Sequence, residues 1–360
     1  MGKRFAALSC AVATVAALTS FPVRAADRSP ELEALIIAAQ AEKVLNISWA
    51  PASIGGTRGA ARARDEMNAM FGTSIDIVFT PGGMMPAMAA QLTRELAAGK
   101  PAFTDVFLSA SNYYSDLVFK YDVFQTAPYP KYMPGRITDQ ISEFGGKAVK
   151  LVTSLSGVSY NKSVVPYAPK TLADFLKPEW KGKIGSTPYA AGFDQLAAAI
   201  GVDATLDFAT KLSRQMSGLL RCNEAQRIAS GEFGALVFDC NPHYVDKAKA
   251  AGEPVDFAFI KEFNTIDFFD LGVPKNAEHP NLAKLYITYL QTPEGQKLLW
   301  DTWQTNLHLY PETQVHADVE AMEKSTGVKA REIDLAFHEK HPELRDMSEK
   351  VSKILTSSGN

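Results

Sequence analysis

Two arginines and a set of short polar side chains occupy positions in this chain where they could bind a small anion. The first group lies in residues 50–58, which read APASIGGTR and stand directly before a predicted helix. Small residues let a ligand approach backbone N–H groups at the positive end of that helix, and a guanidinium can pair with a carboxylate or phosphonate through two hydrogen bonds. A glycine-rich turn with a solvated arginine explains the same residues equally well. The candidates in this loop are Ser53, Gly56, Thr57 and Arg58.

Further candidates follow other predicted strands. Ligands of open α/β sheets bind beyond the carboxyl ends of the strands, which also selects the loops at residues 80–84, 109–114, 187–193 and 239–244. Hydroxyl and amide groups there can hydrogen-bond an oxyanion or cap a helix. The tyrosines can form an apolar wall, and a second arginine starts a predicted helix at the cleft edge. These candidates are Ser109, Ser111, Asn112, Tyr189, Arg221, Asp239, Asn241 and Tyr244.

Catalytic motifs are missing from the sequence. It contains no G-x-S-x-G, H-E-x-x-H or C-x-x-C pattern and no phosphate-binding loop. The run His338-Glu339-Lys340-His341 has the wrong spacing for a zinc site and reads as a solvated helix end. We therefore expect a binding protein without a cofactor, and an exported hydrolase is the alternative from another functional class.

The N-terminus is typical of a secretory signal peptide over residues 1–25. Lys3 and Arg4 precede an apolar run at residues 5–18, and Val23-Arg24-Ala25 offers a cleavage site before Ala26. The run is shorter than the ~20 apolar residues that a membrane span needs. Loss of three basic residues with the leader takes the formal net charge from −3 to −6. Such an acidic chain is not expected to bind nucleic acid.

Cys222 and Cys240 are the cysteines of the expected mature chain. A short helix at residues 223–230 and a strand at residues 235–239 would run antiparallel to each other, so the helix start would lie beside the strand end. In an oxidising compartment two such cysteines commonly pair. We predict a disulfide, and two buried thiols are the alternative.

Strands and helices alternate along the chain, which predicts α/β lobes with largely parallel sheets. Ser29 and Pro30 begin the first helix with a cap and a first-turn proline. The predicted strands are residues 44–49, 75–79, 105–108, 183–186, 235–239, 255–260 and 265–271. Helices are predicted at residues 58–71, 194–200, 204–216, 279–290, 318–324 and 341–355.

Residues 160–184 read YNKSVVPYAPKTLADFLKPEWKGKI and resemble the entry to the second domain of periplasmic solute-binding proteins of ABC importers. Other stretches resemble the same family in matching order, among them TDVFLSASNYYSDL and SGEFGALVFDCNPHYVDKAKAAGEPVDF. The similarity is greatest to the branch that contains ferric-iron, thiamine, polyamine and phosphonate binders. It implies a type II two-lobe fold, each lobe a mostly parallel sheet flanked by helices, with two hinge crossings. Lobe 1 would comprise residues 26–154 and 263–360, and lobe 2 residues 155–262.

The resemblance also implies a function. The protein would be a periplasmic monomer that captures a small solute by lobe closure and delivers it to a membrane permease, and we favour a small organic anion. Docking on a membrane receptor as a ligand sensor is an alternative with the same fold. The sequence does not identify the solute.

Ferric iron is the alternative ligand. Iron-binding relatives typically use adjacent tyrosines after the strand that here ends at Asp239, with a histidine in the first loop. This chain has Asn241-Pro242-His243-Tyr244 at the former position and no histidine in residues 50–58. If iron binds, we expect Asp239, His243 and Tyr244 to hold it.

Overall fold

The computed structural model describes residues 28–222 and 224–357, so the predicted signal peptide lies outside the described residues. The strands are β1 Val44–Trp49, β2 Asp76–Pro81, β3 Phe107–Ala110, β4 Ser142–Glu143, β5 Ala148–Ser154, β6 Gly157–Asn161, β7 Ile184–Ser186, β8 Met216–Leu219, β9 Ala235–Asp239, β10 Val255–Ala258, β11 Thr265–Gly272 and β12 Arg331–Ile333. In the described part of the chain, no helix combines the length and the apolar character that crossing a membrane requires.

The α-helices are α1 Pro30–Glu42, α2 Gly56–Phe71, α3 Met85–Ala97, α4 Ser111–Phe119, α5 Tyr129–Tyr132, α6 Phe193–Ile200, α7 Val202–Ser213, α8 Ala225–Ala229, α9 Asp246–Ala250, α10 Pro280–Leu290, α11 Pro293–Trp303, α12 Gln314–Thr326, α13 Leu335–Lys340 and α14 Met347–Ser357. Short 3-10 helices occupy Ser53–Gly55, Phe144–Gly146, Leu172–Leu176, Pro178–Trp180, Pro242–Val245, Lys261–Phe263 and Pro342–Leu344.

Lobe 1 is built on a five-stranded sheet of order β12-β11-β5-β4, with β3 paired to β11. The parallel pair β1 and β2 lies beside it. At the junction, the Asp105 N–H donates to the Asn46 carbonyl, and the Asn46 N–H donates to the Asp105 carboxylate. Helices α1, α10 and α11 cover a core that includes Leu45, Phe268 and Tyr286. The predicted cap of α1 is present, since Ser29 accepts a hydrogen bond from the Leu32 N–H.

Lobe 2 is built on a second five-stranded sheet, of order β10-β6-β9-β7-β8. Its core contains Trp180, which the sequence analysis did not assign to the ligand, together with Phe193 and Phe238. A smaller cluster of Ile228, Leu236 and Val245 packs on the other side of this sheet. The chain passes from lobe 1 to lobe 2 between β5 and β6 and returns between β10 and β11.

The predicted α/β two-lobe class is confirmed, with a difference in strand direction. The pairs β1-β2, β11-β12, β7-β8 and β7-β9 are parallel, whereas β6 runs antiparallel to both of its neighbours and β5 antiparallel to β11 and β4. The sheets are therefore mixed rather than mostly parallel. Each antiparallel pair in the two five-stranded sheets includes β5, β6 or β11, three of the strands that flank the crossings between the lobes.

The C-terminal helix differs from the prediction that residues 263–360 all belong to lobe 1. Strand β12 joins the lobe 1 sheet, but α14 packs on α6 and α7 of lobe 2. Met347, Val351 and Leu355 lie one turn apart and are buried in the lobe 2 core, where each such side chain stabilises by about 1.5–3 kcal/mol. The chain thus crosses between the lobes a third time. The boundaries at residues 154/155 and 262/263 stay a prediction.

A buried ionic cluster attaches this C-terminal segment to the lobe 1 sheet. The Lys150 ammonium, 2% exposed, lies 3.5 Å from a carboxylate oxygen of Glu143 and 3.5 Å from one of Asp334, which precedes α13. Asp270 is the strand neighbour of Lys150 and accepts a hydrogen bond of 2.6 Å from Ser111. Three carboxyl groups thus surround one ammonium, and burial raises the pKa of Glu143 to about 8 and that of Asp270 to about 6.

We predict that the stability of the Glu143→Gln variant, compared with that of the wild type, increases as pH rises. A carboxyl group whose pKa is raised by folding costs nothing below its unfolded pKa of about 4.3 and costs progressively more up to its folded pKa. The wild type should therefore lose stability between about pH 4.5 and 8, by at most about 1.4 kcal/mol per pH unit for this group, and the variant should not show that loss. Urea unfolding of both proteins at pH 5, 7 and 8.5 measures this loss of stability.

The exposed acid Glu349 on α14, ion-paired with Lys353, provides the matched control Glu349→Gln. This control should follow the wild-type pH dependence. Parallel curves for the wild type and Glu143→Gln would show that Glu143 does not carry the raised pKa.

Candidate ligand site between the lobes

Three strand-end loops of lobe 2 meet at one edge of the cleft. The Cys222–Cys240 disulfide, with Cα atoms 5.7 Å apart, ties the loop after β8 to the end of β9. The Tyr189 hydroxyl accepts a hydrogen bond of 2.9 Å from the Cys222 N–H, which adds the loop after β7. The structure therefore contains the predicted disulfide, and the loop of Arg221 is fixed beside Tyr189.

Tyr244 lies in the same group of lobe 2 residues. Burial, together with the nearby Asp239 and Tyr189, raises its pKa to about 12. Burial also raises the pKa of Tyr189, which Arg221 lowers in part. Both tyrosines are therefore neutral hydroxyl groups at physiological pH, able to donate hydrogen bonds to an anion.

Asp239 and Asn241 are hydrogen-bonded within the protein and position this loop. Asp239 is buried, accepts a hydrogen bond from the Ser159 hydroxyl, and accepts another of 2.8 Å from the Cys240 N–H. Asn241 caps the 3-10 helix Pro242–Val245 by accepting from the His243 N–H at 2.8 Å. Its amide also donates to the Gln304 carbonyl of lobe 1 at 3.0 Å. Asn241 thus connects the loop to the facing lobe.

The predicted loop of lobe 1 forms a tight turn before α2. The Ser53 N–H donates to Ala50 and the Gly56 N–H donates to Ser53, so these two backbone amides are already used within the turn. Gly56 has φ 62° and ψ −141°, and a Cβ there would lie 2.9 Å from the Pro51 carbonyl oxygen. The turn therefore requires glycine at this position, and the expectation that its amide is open to a ligand is corrected.

Arg58 and Arg221 are both exposed. In residues 28–222 and 224–357, neither guanidinium has an ion pair or a hydrogen bond with the protein. Arg58 follows Thr57 in the first turn of α2, which contains no acidic residue, and a cation at this positive helix end is electrostatically unfavourable. An anion bound beside Arg58 would relieve that repulsion.

Ser109 and Ser111 lie beneath the cleft surface, which corrects their expected contact with ligand. Both are completely buried. The Ser111 hydroxyl bonds Asp270 at 2.6 Å and the Phe268 carbonyl at 3.1 Å, while the Ser109 hydroxyl has no hydrogen-bond partner. The reason is that β3 pairs with β11, opposite Asp270. Asn112 does reach the cleft, where its amide donates to Asp194 of lobe 2 at 3.0 Å.

A cavity of about 110 Å³ lies where both lobes and the β5–β6 crossing meet. Tyr244, Asn241 and Cys240 line it from lobe 2. Its lobe 1 walls include Phe269 and Trp303, whose rings meet edge to face with centroids 5.5 Å apart. Strand-end reasoning missed these lobe 1 walls because they lie within β5 and β11 and in α11 and α12. Its apolar lining is Val152, Leu155, Pro242, Phe269, Trp303 and Val315.

His243 joins the two lobes beside this cavity. Its Nδ1 lies 2.6 Å from Asp246 in α9, its Nε2 lies 2.8 Å from Asp318 in α12, and its ring packs edge to face on Trp300 at 4.7 Å. Both ring nitrogens are thus occupied, so His243 is not placed to bind iron with Asp239 and Tyr244. Within the described residues, no group of three or more His, Cys, Asp or Glu side chains is arranged to hold a metal ion.

Comparison with known proteins gives related matches over most of the chain. A family model described as "Bacterial extracellular solute-binding protein" matches residues 62–325. The "Fe(3+)-binding periplasmic protein" of Serratia marcescens is 24% identical over 244 residues, which are 63% of this chain and 69% of that protein.

Solved structures give the same fold. The substrate-binding protein of an ABC transporter from Agrobacterium tumefaciens superposes with a TM-score of 0.69 at 16% identity, over 87% of this chain and 94% of that chain. The periplasmic binding protein AfuA from Actinobacillus pleuropneumoniae, with exogenous fructose-6-phosphate bound, gives a TM-score of 0.61 at 16% identity, over 88% of this chain and 97% of that chain. At these identities the similarity establishes the fold alone.

We predict that Asp318→Asn lowers the pKa of His243 and destabilises the protein more at pH 6 than at pH 9. Burial lowers this pKa, but hydrogen bonds to Asp318 and Asp246 outweigh burial and raise it above the ordinary value of 6.5. The ion pair therefore stabilises fully below about pH 6.5 and is lost as pH rises through the folded pKa. The loss at pH 6 should be about 1–3 kcal/mol.

Histidine NMR titration and urea unfolding measure both effects. Glu320→Gln, an exposed acid on the same helix that lies 3.8 Å from His316, is the control and should change neither result. An unaltered His243 titration in Asp318→Asn would contradict the assigned ion pair.

Proposed function

Because the chain belongs to the bacterial extracellular solute-binding protein family, we propose that its solute is a small organic anion, held between the two lobes. Proteins of this family bind a small ligand for an ABC importer and deliver it to a membrane permease, and they are not enzymes. The identity of the solute, its contacts and the monomeric state are the parts that we propose.

The observation that carries the anion proposal is the unpaired state of two arginines at cleft loops. Arg58 follows the strand-end loop of lobe 1, and Arg221 follows β8 in lobe 2. Among the described residues, Arg62 pairs with Glu66 and Asp301, and Arg227 pairs with Glu224 and Glu232. Arg94 and Arg214 are also exposed and have no ion pair there, but they lie at the C-terminal ends of α3 and α7. The position after a strand end is therefore what distinguishes Arg58 and Arg221. A carboxylate or phosphonate would supply the missing partner and gain bidentate hydrogen bonds.

Buried acids in the cleft do not oppose an anion. Asp194 and Asp267 lie near each other between the lobes, at 5% and 4% exposure. Burial raises the pKa of both carboxyl groups, and their mutual repulsion raises that of Asp267 further. Burial thus disfavours the ionised form of both carboxyl groups, so these acids oppose a bound anion less than exposed carboxylates would.

Ferric iron is the second candidate because the Serratia marcescens relative is named for Fe(3+). The hydrogen bonds of His243 to two carboxylates count against the ligand set that we expected for iron. An iron site here would need other oxygen ligands, of which Asp239 and Tyr244 are the nearest candidates.

The protein would act in the periplasm as a monomer, with an ABC permease of the inner membrane as its partner. A receptor-docking sensor would share the fold and the cleft. The signal peptide that the sequence predicts at residues 1–25 supports export, and an interaction assay with the permease distinguishes the transporter from the sensor.

We predict that a thermal-shift screen detects small carboxylates or phosphonates. A ligand at 100 times its dissociation constant adds about 2.7 kcal/mol of stability, which for a protein of this size shifts the melting temperature by roughly 2–4 °C. The panel also holds ferric iron with and without a synergistic anion, thiamine and polyamines. If iron alone shifts the melting temperature, the solute is ferric iron and the anion proposal is wrong.

We further predict that Arg58→Ala and Arg221→Ala each weaken binding of the identified anion about ten- to a hundredfold, since each removes a charge-assisted hydrogen bond of about 1.5–3 kcal/mol. Titration calorimetry measures the affinity. Arg214→Ala is the matched control, because Arg214 precedes β8 whereas Arg221 follows it, at the cleft end. Equal affinities in all three variants would remove both arginines from the site.

A further inference from the structure

We propose that the cavity between the lobes is an apolar subsite that receives a short aliphatic portion of the solute. This inference rests on the proposed function, because it adds an uncharged part to the organic anion bound near the arginines. The solute class is then a small organic acid with a chain of about three or four carbons. A bare metal ion or inorganic anion would leave this cavity unfilled.

Most of the polar groups that line the cavity are already paired with the protein. The Thr153 hydroxyl bonds the His308 ring at 2.7 Å, and the Thr305 hydroxyl donates to the Thr153 carbonyl at 2.9 Å. Asn241 uses its oxygen on His243 and its amide on Gln304. His243 and Asp318 pair with each other. A charged group of the solute could pair with these groups only after their present bonds had broken. The Tyr244 hydroxyl, on the side toward Tyr189 and Asp239, is the lining donor that can serve the anion.

What remains available to a ligand is apolar surface. Val152, Phe269, Trp303 and Val315 supply it from lobe 1, and Pro242 from lobe 2. Phe269 and Trp303 are half-buried, so contact with an aliphatic group would remove more of their surface from water. Burial of apolar area is the favourable term that such a contact provides.

The volume sets the size of the group. An engineered apolar cavity of about 150 Å³ binds benzene, and this cavity is smaller, at about 110 Å³. A chain of about three or four carbons is therefore the group that we expect to fill it, and we expect a longer chain to gain little more from this cavity.

The subsite is continuous with the proposed anion site through Tyr244. This residue lines the cavity, and it lies close enough to Tyr189 and Asp239 for both to raise its pKa. Tyr189 in turn is near Arg221. An acid whose chain enters the cavity would thus place its carboxylate toward the arginine side. Because walls come from both lobes, the chain is fully enclosed only when the lobes are closed.

The test is a series of straight-chain carboxylates from acetate to octanoate, titrated calorimetrically into the purified protein. Each methylene that enters the cavity should raise affinity about fourfold, and the gain should stop after three or four carbons. Affinity that is independent of chain length would overturn the apolar subsite while leaving the anion proposal intact.

Two substitutions on α12 form a matched pair. Val315→Phe fills the cavity, whereas Val319→Phe adds the same ring one turn along the helix, at a residue that does not line it. Val315→Phe should keep acetate affinity and lose the gain with chain length, and Val319→Phe should keep both. If Val315→Phe does not fold, Trp303→Leu enlarges the cavity instead and should move the optimum to longer chains.

An uncharged probe separates this inference from the proposed function. In methyl NMR, n-butanol should shift the signals of Val152 and Val315 in the wild type. In Val315→Phe it should leave the signal of Val152 unchanged. Butanol shifts without binding of any acid would support the subsite and reject the anion. Absence of butanol shifts together with flat acid affinities would reject the subsite.

Discussion

The cleft depends on the way one short segment, residues 240–244, is held to both lobes at once. A disulfide fixes its start to the Arg221 loop, Asn241 bonds the Gln304 carbonyl across the cleft, and His243 bonds Asp318 of α12. The segment therefore cannot move with lobe 2 without breaking contacts to lobe 1. Since Tyr244 is the last residue of this segment, its position depends on how the two lobes are placed relative to each other.

The protein places charge differently in the interior and at the cleft surface. Inside, the carboxyl groups around Lys150 outnumber the ammonium, and burial raises the pKa of Glu143 to about 8, so protons rather than further cations complete the neutralisation. At the surface, the guanidinium groups of Arg58 and Arg221 have no ion pair or hydrogen bond with the described residues. An unpaired cation costs little in water but becomes valuable when closure removes the water. This contrast is the physical basis for placing a mobile anion at the arginines rather than in the interior.

Local sequence signals were sufficient for much of the fold. Ser29 and Pro30 start α1 as their capping chemistry requires, and the apolar run Ala235–Asp239 forms β9. The geometry of the preceding helix also placed Cys222 beside Cys240. Each of these predictions depends on residues within about twenty positions of one another, so no long-range information was needed.

Long-range packing explains what the sequence did not reveal. Strands β5, β6 and β8 were not recognised, and the helix expected to reach residue 216 ends at Ser213, where β8 pairs with β7. Helix α14 carries a buried stripe within a polar tail, so its attachment to lobe 2 was not visible from composition. For the site, the strand-end rule selected Tyr189, Arg221 and Tyr244, which lie near one another in the structure. It also selected Ser109 and Ser111, whose burial depends on the β3–β11 pairing.

The residues that form the walls of the cavity have a double role, and this limits how the site can change. Val152 and Phe269 are paired in the β5–β11 ladder, next to the crossing on which the lobes turn, and they also line the cavity. A larger side chain at either position would reduce the cavity and strain the strands that connect the lobes. Trp303 and Val315 lie on helices outside that ladder, so their size can vary without altering the crossing. Selection for a different solute would therefore act first on the helical walls, while the strand walls keep the size that packing in the β5–β11 ladder imposes.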